Sequence, residues 1–191
     1  MLDVVAENGD RLLSWRVWLT DHSLPIPGDF RADYDKSWDD ARNLRTAAKG
    51  MHDFTNRSMH STGSDDDTTT ILAITGPGTV FGDGTPTPLK GAPGNTIALV
   101  EVRNSGIHWM SPKDFDIRTM PHTINDPEGR GISGETSLGF HVAFADGEVW
   151  RLSHDTPFEE LSRFFVAEDA KRLDREAILG KYRRSRWPVA K

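Results

Sequence analysis

The residues with the most obvious capacity for chemistry are seven histidines: His22, His52, His60, His108, His122, His141 and His154. No pair of them has the helix-face spacing of a metal site, and none sits in a zincin-type motif. His108, His122 and His141 could converge in the fold beside Glu101; scattered or hydrogen-bonded histidines are the ordinary alternative. Asp65, Asp66 and Asp67, with Asp83 further on, offer oxygen ligands to a hard cation such as calcium, but no EF-hand spacing surrounds them. The other reading of that stretch is a solvated acidic loop. Gly76-Pro77-Gly78 and Gly82-Asp83-Gly84 lack a P-loop lysine, and no Rossmann spacing leads from a strand into a helix. Ser14, Ser105, Ser111 and Ser133 have no nucleophile elbow around them. Nothing in these patterns demands an enzyme. Apart from calcium at the acidic loop, no cofactor is implied. Six tryptophans in so polar a chain leave room for a saccharide or small-solute module, with Trp18, Trp38 or Trp109 as the stacking platform.

The elements that must position these residues begin with Phe140–Ser153. Two runs of β-branched and aromatic residues flank Asp146-Gly147, a pair favoured in two-residue type I′ turns. With that turn Phe144 faces Val149. One face then carries Phe140, Val142, Phe144, Val149 and Arg151, the other His141, Ala143, Trp150 and Leu152. Neither face is uniformly polar, so the hairpin is expected in the middle of a sheet and covered on both sides. The apolar stretch 12–19 fits a strand or the first turns of a helix, and the alternation of Leu13, Trp15, Val17 and Leu19 favours the strand. Ser37 is placed to cap a helix over 37–49, with Asp39 and Asp40 near its positive end. Strands are expected over 68–75 and 95–102, turns over 76–94, and loop over 103–135. Thr156, Pro157 and Glu159 form a capping-box signature for a helix whose Phe158, Leu161, Phe164 and Phe165 face the sheet, and 168–179 reads as a further short helix.

At 191 residues the chain fits one domain, 1–191. A net charge of −6 argues against nonspecific nucleic-acid or anionic-membrane affinity. The basic run Lys181–Arg186 is local and reads as a solvated tail over 181–191, or as a helix C-terminus beside its dipole. No run reaches the length of a membrane span, and the opening MLDVVAENGDRLLSW is not a signal peptide, so the chain taken literally stays in the cytoplasm. The absence of cysteine removes disulfide and thiolate chemistry together. The expected class is α+β, with an antiparallel-rich sheet and packed helices.

Several pieces, in order, resemble a family abundant in planctomycete bacteria: the prepilin-type-processing-associated domain named for a His, nine residues, then Asp-Gly, long catalogued as a domain of unknown function and once labelled solute-binding. The matching pieces are Leu13-Ser14-Trp15-Arg16-Val17, Ser37-Trp38-Asp39-Asp40 with Asn43, and Thr75-Gly76-Pro77-Gly78-Thr79-Val80-Phe81. After them come Gly94-Asn95-Thr96-Ile97 running to Glu101, Trp109 with Pro112 and Asp114, and Val142 to Gly147. They span residues 9 to 175. Thr136 stands where the namesake histidine would be, and His141 where that family usually has Asn. The resemblance implies a pilin- or pseudopilin-like head without its N-terminal helix. Its implied partners are other pseudopilin, type II secretion or type IV pilus proteins, and its implied location is extracytoplasmic or membrane-associated. Some such heads hold calcium in a loop.

Overall fold

The computed structural model describes residues 4–23, 31–47, 54, 67–82 and 91–187. The sequence reads as one domain over 1–191; the fold gathers into two compact units, Met1–Thr70 with Gly106–Lys113, and Ile71–Ser105 with Asp114–Lys191.

In the first unit, β1 (Val4–Val5) and β2 (Arg11–Leu13) form a short antiparallel pair. Helix α1 covers Trp15–Ser23. The strand expected over 12–19 is therefore wrong beyond Leu13. Ser14 caps the helix, its Oγ accepting the Arg16 backbone N–H (3.1 Å). The buried Arg16 donates from Nη1 to Ser14 Oγ (2.9 Å) and from Nη2 to the Lys113 carbonyl (3.0 Å), its guanidinium 4.9 Å from the Trp15 ring. Leu13, Val17, Ala47, Trp109 and Met110 form the core of this unit, with Leu12, Ala32, Tyr34 and Trp38 packed on it. Helix α2 runs Ala41–Ala47, starting later than expected. Asp40, rather than Ser37, caps it by accepting the Arg42 N–H (2.8 Å). Asn43 is fully buried and saturated. Its Oδ1 accepts the Asp33 N–H, and its Nδ2 donates to the carbonyls of Asp33, Lys36 and Ser37.

The second unit is built on a six-stranded sheet in the order β5-β3-β4-β6-β7-β8, among the described residues. Its strands are β3 (Ile71–Thr75), β4 (Ile97–Glu101), β5 (Phe115–Asp116), β6 (Phe140–Phe144), β7 (Val149–Leu152) and β8 (Arg183–Trp187). Every pairing is antiparallel except β3 with β5. The content is mixed α and β with a mostly antiparallel sheet, as the sequence indicates, and the hairpin β6–β7 lies inside it.

The hairpin register differs from expectation by one residue. Ala143 pairs with Val149 and Val142 with Trp150. The Phe144 N–H donates to the Glu148 carbonyl (2.9 Å), so the loop is the three residues Ala145, Asp146 and Gly147. Of these only Gly147 has positive φ (+88°), whereas a type I′ turn needs two such residues. The slip moves Trp150 and Leu152 onto the face of Phe140, Val142 and Phe144, and all five are buried. His141, Ala143, Val149 and Arg151 occupy the other face and are half-buried. The hairpin thus has one fully buried face, which corrects the expectation of two.

Leu72, Ile74, Ile97 and Val100 extend the buried face across β3 and β4. Leu161, Phe164, Phe165, Ala170 and Leu179, from the chain after β7, add to this core, as do Val80, Val102, Phe115, Met120 and Ile132. That chain forms α3 (Phe158–Ser162), α4 (Ala167–Ala170) and α5 (Arg175–Leu179), so the single helix expected over 168–179 is two short ones. Thr156 does not cap α3; its hydroxyl donates to the Ser153 carbonyl (2.7 Å) and Pro157 occupies the cap position. Of the basic run, Lys181 and Tyr182 sit in a 3-10 turn at the end of α5, in keeping with the helix C-terminus reading. Arg183–Trp187 instead form β8 against the edge of β7, not a tail, and residues 188–191 lie outside the described residues. No helix among the described residues is long and apolar enough to cross a membrane.

Candidate functional site

The outer face of the six-stranded sheet brings together residues from β4, β6, β7 and β8. One step beyond the Val100–Val142 pair, Glu101 and His141 lie side by side. His141 pairs across with Arg151, and Arg151 with Ser185. Glu101 Oε2 accepts both the His141 backbone N–H (2.8 Å) and the proton on His141 Nδ1 (2.6 Å). Arg151 Nε–H donates to His141 Nε2 (3.1 Å). An arginine can only donate, so Nε2 must accept and Nδ1 must carry the ring proton of the neutral imidazole. The row is a fixed relay, Glu101 to His141 to Arg151. The Trp187 ring lies beside it, 5.5 Å from the His141 ring and 5.6 Å from the Arg151 guanidinium.

This relay orients a cation and leaves the imidazole no free lone pair. A general base needs that lone pair within reach of a substrate proton; here Arg151 holds it. Burial of Glu101 pushes its carboxyl upward, but the side-chain and backbone hydrogen bonds from His141 outweigh that and leave it below the ordinary carboxylate range. A carboxylate depressed in the folded state stabilises the fold above its unfolded pKa, and that contribution is lost as pH falls through the folded value. The stability gap between the wild type and Glu101→Gln should therefore be wide at about pH 7 and shrink towards about pH 3.5. Urea midpoints at the two pH values measure it; a gap of constant size would show that Glu101 titrates normally.

The other sequence-level candidates are dispersed. Asp65, Asp66 and Asp83 lie outside the described residues. Asp67 is engaged through its backbone, its carbonyl accepting the Trp109 N–H (2.8 Å). No group of three His, Cys, Asp or Glu able to hold a metal occurs among the described residues. Trp109 is 1% exposed and belongs to the core of the first unit, which removes it from any stacking platform. Trp15 is buried against Phe54, their ring centroids 5.7 Å apart. Trp38 is half-buried with the His108 ring 4.9 Å away. Burial holds His108 below the ordinary histidine range against an opposing pull from Asp67. Trp18 is 45% exposed and stacks on His22 at 4.8 Å. Of the three histidines proposed to converge on Glu101, His141 does so. His122 instead stacks on Phe158 at 5.0 Å.

Asp146 and Gly147 have structural roles. Gly147 supplies the positive φ of the hairpin loop, and Asp146 Oδ2 forms an ion pair with Arg175 at 2.7 Å. Arg175 also reaches Glu148 Oε2 (3.0 Å), while Glu148 Oε2 accepts the Trp150 indole N–H (2.9 Å). Sequence reasoning missed Arg175, Arg151 and Trp187. Only the Lys181–Arg186 run hinted at the last strand, and its composition is that of a solvated segment. No protein-family model, curated protein or solved structure matches the chain.

Proposed function

We propose that the chain is a non-catalytic assembly module of pseudopilin-head type, acting outside the cytoplasm and contacting pilin-like or secretion-system subunits through the β8 edge of its sheet. The observation that carries this reading is the edge itself. Among the described residues β8 closes the sheet order, and Arg184, Arg186 and Trp187 on it are exposed. Trp187, 46% exposed, continues a row of half-buried apolar residues on the outer face, Leu99, Ala143 and Val149. An exposed tryptophan at an open strand edge suits protein contact, because the backbone can take a further strand while the indole anchors the partner. Arginines along an edge strand also discourage indiscriminate self-pairing. The occupied lone pair of His141 and the sequestration of Asp146 and Glu148 by Arg175 favour a binding role over a hydrolytic one.

A photo-reactive phenylalanine analogue at position 187 tests this in the producing cells, with the same analogue at the exposed Lys171 as the control. The expected adduct joins position 187 to a pilin-type or secretion-system subunit, identified by mass. Equal labelling from both positions, or none from 187, would overturn the reading.

A further inference from the structure

Where β7 and β8 meet the 134–138 loop, a cleft of about 830 Å³ opens in the second unit. Three arginines from separate segments line it: Arg103 after β4, Arg151 on β7 and Arg184 on β8. Each is anchored at one nitrogen. Arg151 Nε is held by His141, Arg184 Nη2 donates to Ser153 Oγ (3.2 Å), and Arg103 Nη2 donates to the Pro127 carbonyl (3.0 Å). The remaining guanidinium nitrogens are then available as donors on groups already fixed in position, which lowers the ordering cost of binding an anion. Three arginines line one cleft in a chain whose net charge is −6, so this concentration is local.

Two further lining groups point to a ligand. Ser185 Oγ and His154 Nδ1 are buried and have no hydrogen-bond partner in the protein. Buried polar atoms left unpaired are rare in folded proteins. His154 Nε2–H donates to the Thr136 carbonyl (3.0 Å), which leaves Nδ1 an acceptor in the neutral ring. The serine hydroxyl can donate to an oxyanion. His154 Nδ1, with the carboxylate of the lining residue Asp155, can accept from hydroxyl groups.

We propose that this cleft binds a hydroxylated organic oxyanion, its carboxylate or phosphate held by Arg151, Arg184 and Arg103 and its hydroxyls by His154 and Asp155. The volume falls in the range of about 300–1,000 Å³ that suits a small organic ligand rather than a bare ion. The relay from Glu101 through His141 positions Arg151 for this task, which gives that row a purpose within the second unit. Trp187 does not line this cleft, although Arg184 belongs both to the cleft and to the β8 edge proposed above for protein contact.

Calorimetric titration of the full chain with digalacturonate, glucose 6-phosphate and neutral digalactose tests the assignment, and the two acidic probes separate carboxylate from phosphate. Binding of at least one acidic probe is expected, with digalactose weaker by about tenfold or more. Arg184→Gln and Arg103→Gln, both on partly exposed side chains, should each weaken that binding by a similar factor while leaving the unliganded melting temperature near the wild type. His141→Gln should weaken it less, through a looser Arg151. Absence of binding by both acidic probes, equal binding of digalactose, or binding unchanged in the two arginine variants would overturn the proposal.

Discussion

Replacing Gly139 by alanine should destabilise the second unit by about 3 kcal/mol or more, among the largest losses expected of a single substitution. Gly139 has φ +128°, where residues with a Cβ are strained. It also sits immediately before Phe140, which pairs with Leu152. A Cβ there would overlap the Leu152 carbonyl oxygen and come within 2.8 Å of its carbon. The obstacle is backbone of a central strand pair, so no rotamer change relieves it. Either β6 separates from β7 at this point or the chain leaves its conformation, and both disturb the buried row Phe140, Val142, Trp150 and Leu152. Gly91→Ala is the matching control, since a Cβ there meets nothing within 4 Å. Urea unfolding of the two variants should show a large drop for the first and almost none for the second. Similar midpoints would mean that the β6 entry tolerates a side chain, contrary to this account.

Arg175→Ala should cost about 2–3 kcal/mol, less than the figure for a fully buried pair because Asp146 is about a third exposed. The Arg175 side chain is 14% exposed and touches Asp146 and Glu148, while its Nη1 donates to the Gly94 carbonyl (3.3 Å). Its guanidinium carbon lies 4.5 Å from the Phe144 ring centroid and 5.2 Å from that of Trp150. Truncation leaves two neighbouring carboxylates without this shared cation and uncovers two aromatic faces. Arg175→Lys keeps one charged nitrogen for the two acids, which Arg175 meets through Nη2 alone, but loses the Nη1 bond to the Gly94 carbonyl and the guanidinium contact with the rings, so its cost should be intermediate. A double-mutant cycle with Asp146→Asn isolates the ion pair and should return a positive coupling. If Arg175→Ala melts like the exposed-surface control Lys171→Ala, the pair and its stacking contribute nothing, and Asp146 loses the role assigned to it.

Local signals located most of the sheet. The β-branched runs around Ile71–Thr75 and Ile97–Glu101 form strands, and Asp146-Gly147 reverses the chain between β6 and β7. The loop length was misread because Asp-Gly suits a three-residue loop with one glycine at positive φ as well as a two-residue turn. The better clue was in the strands: moving Trp150 and Leu152 opposite Val142 and Phe140 makes one face wholly apolar, and that alternation was visible in the sequence. Over 12–19 the apolar residues fit both strand and helix periods, and the interactions that accompany the helix come from Met110 and Lys113, far along the chain.

The four central strands β3, β4, β6 and β7 and the reversal between the last two follow from neighbouring residues, since backbone preference and alternating burial act over a few positions; β5, inside the expected loop 103–135, and β8 do not. The sequence alone also makes plain the lack of thiol chemistry and the acidic balance. Tertiary structure decided which strand edge captured the basic run 183–187, which cation neutralised Asp146, and where the arginines of the cleft met. Arg103, Arg151 and Arg184 come from three stretches of chain joined by long connections. Only strand pairing brings them to one place, so no spacing rule along the sequence could announce the site they form.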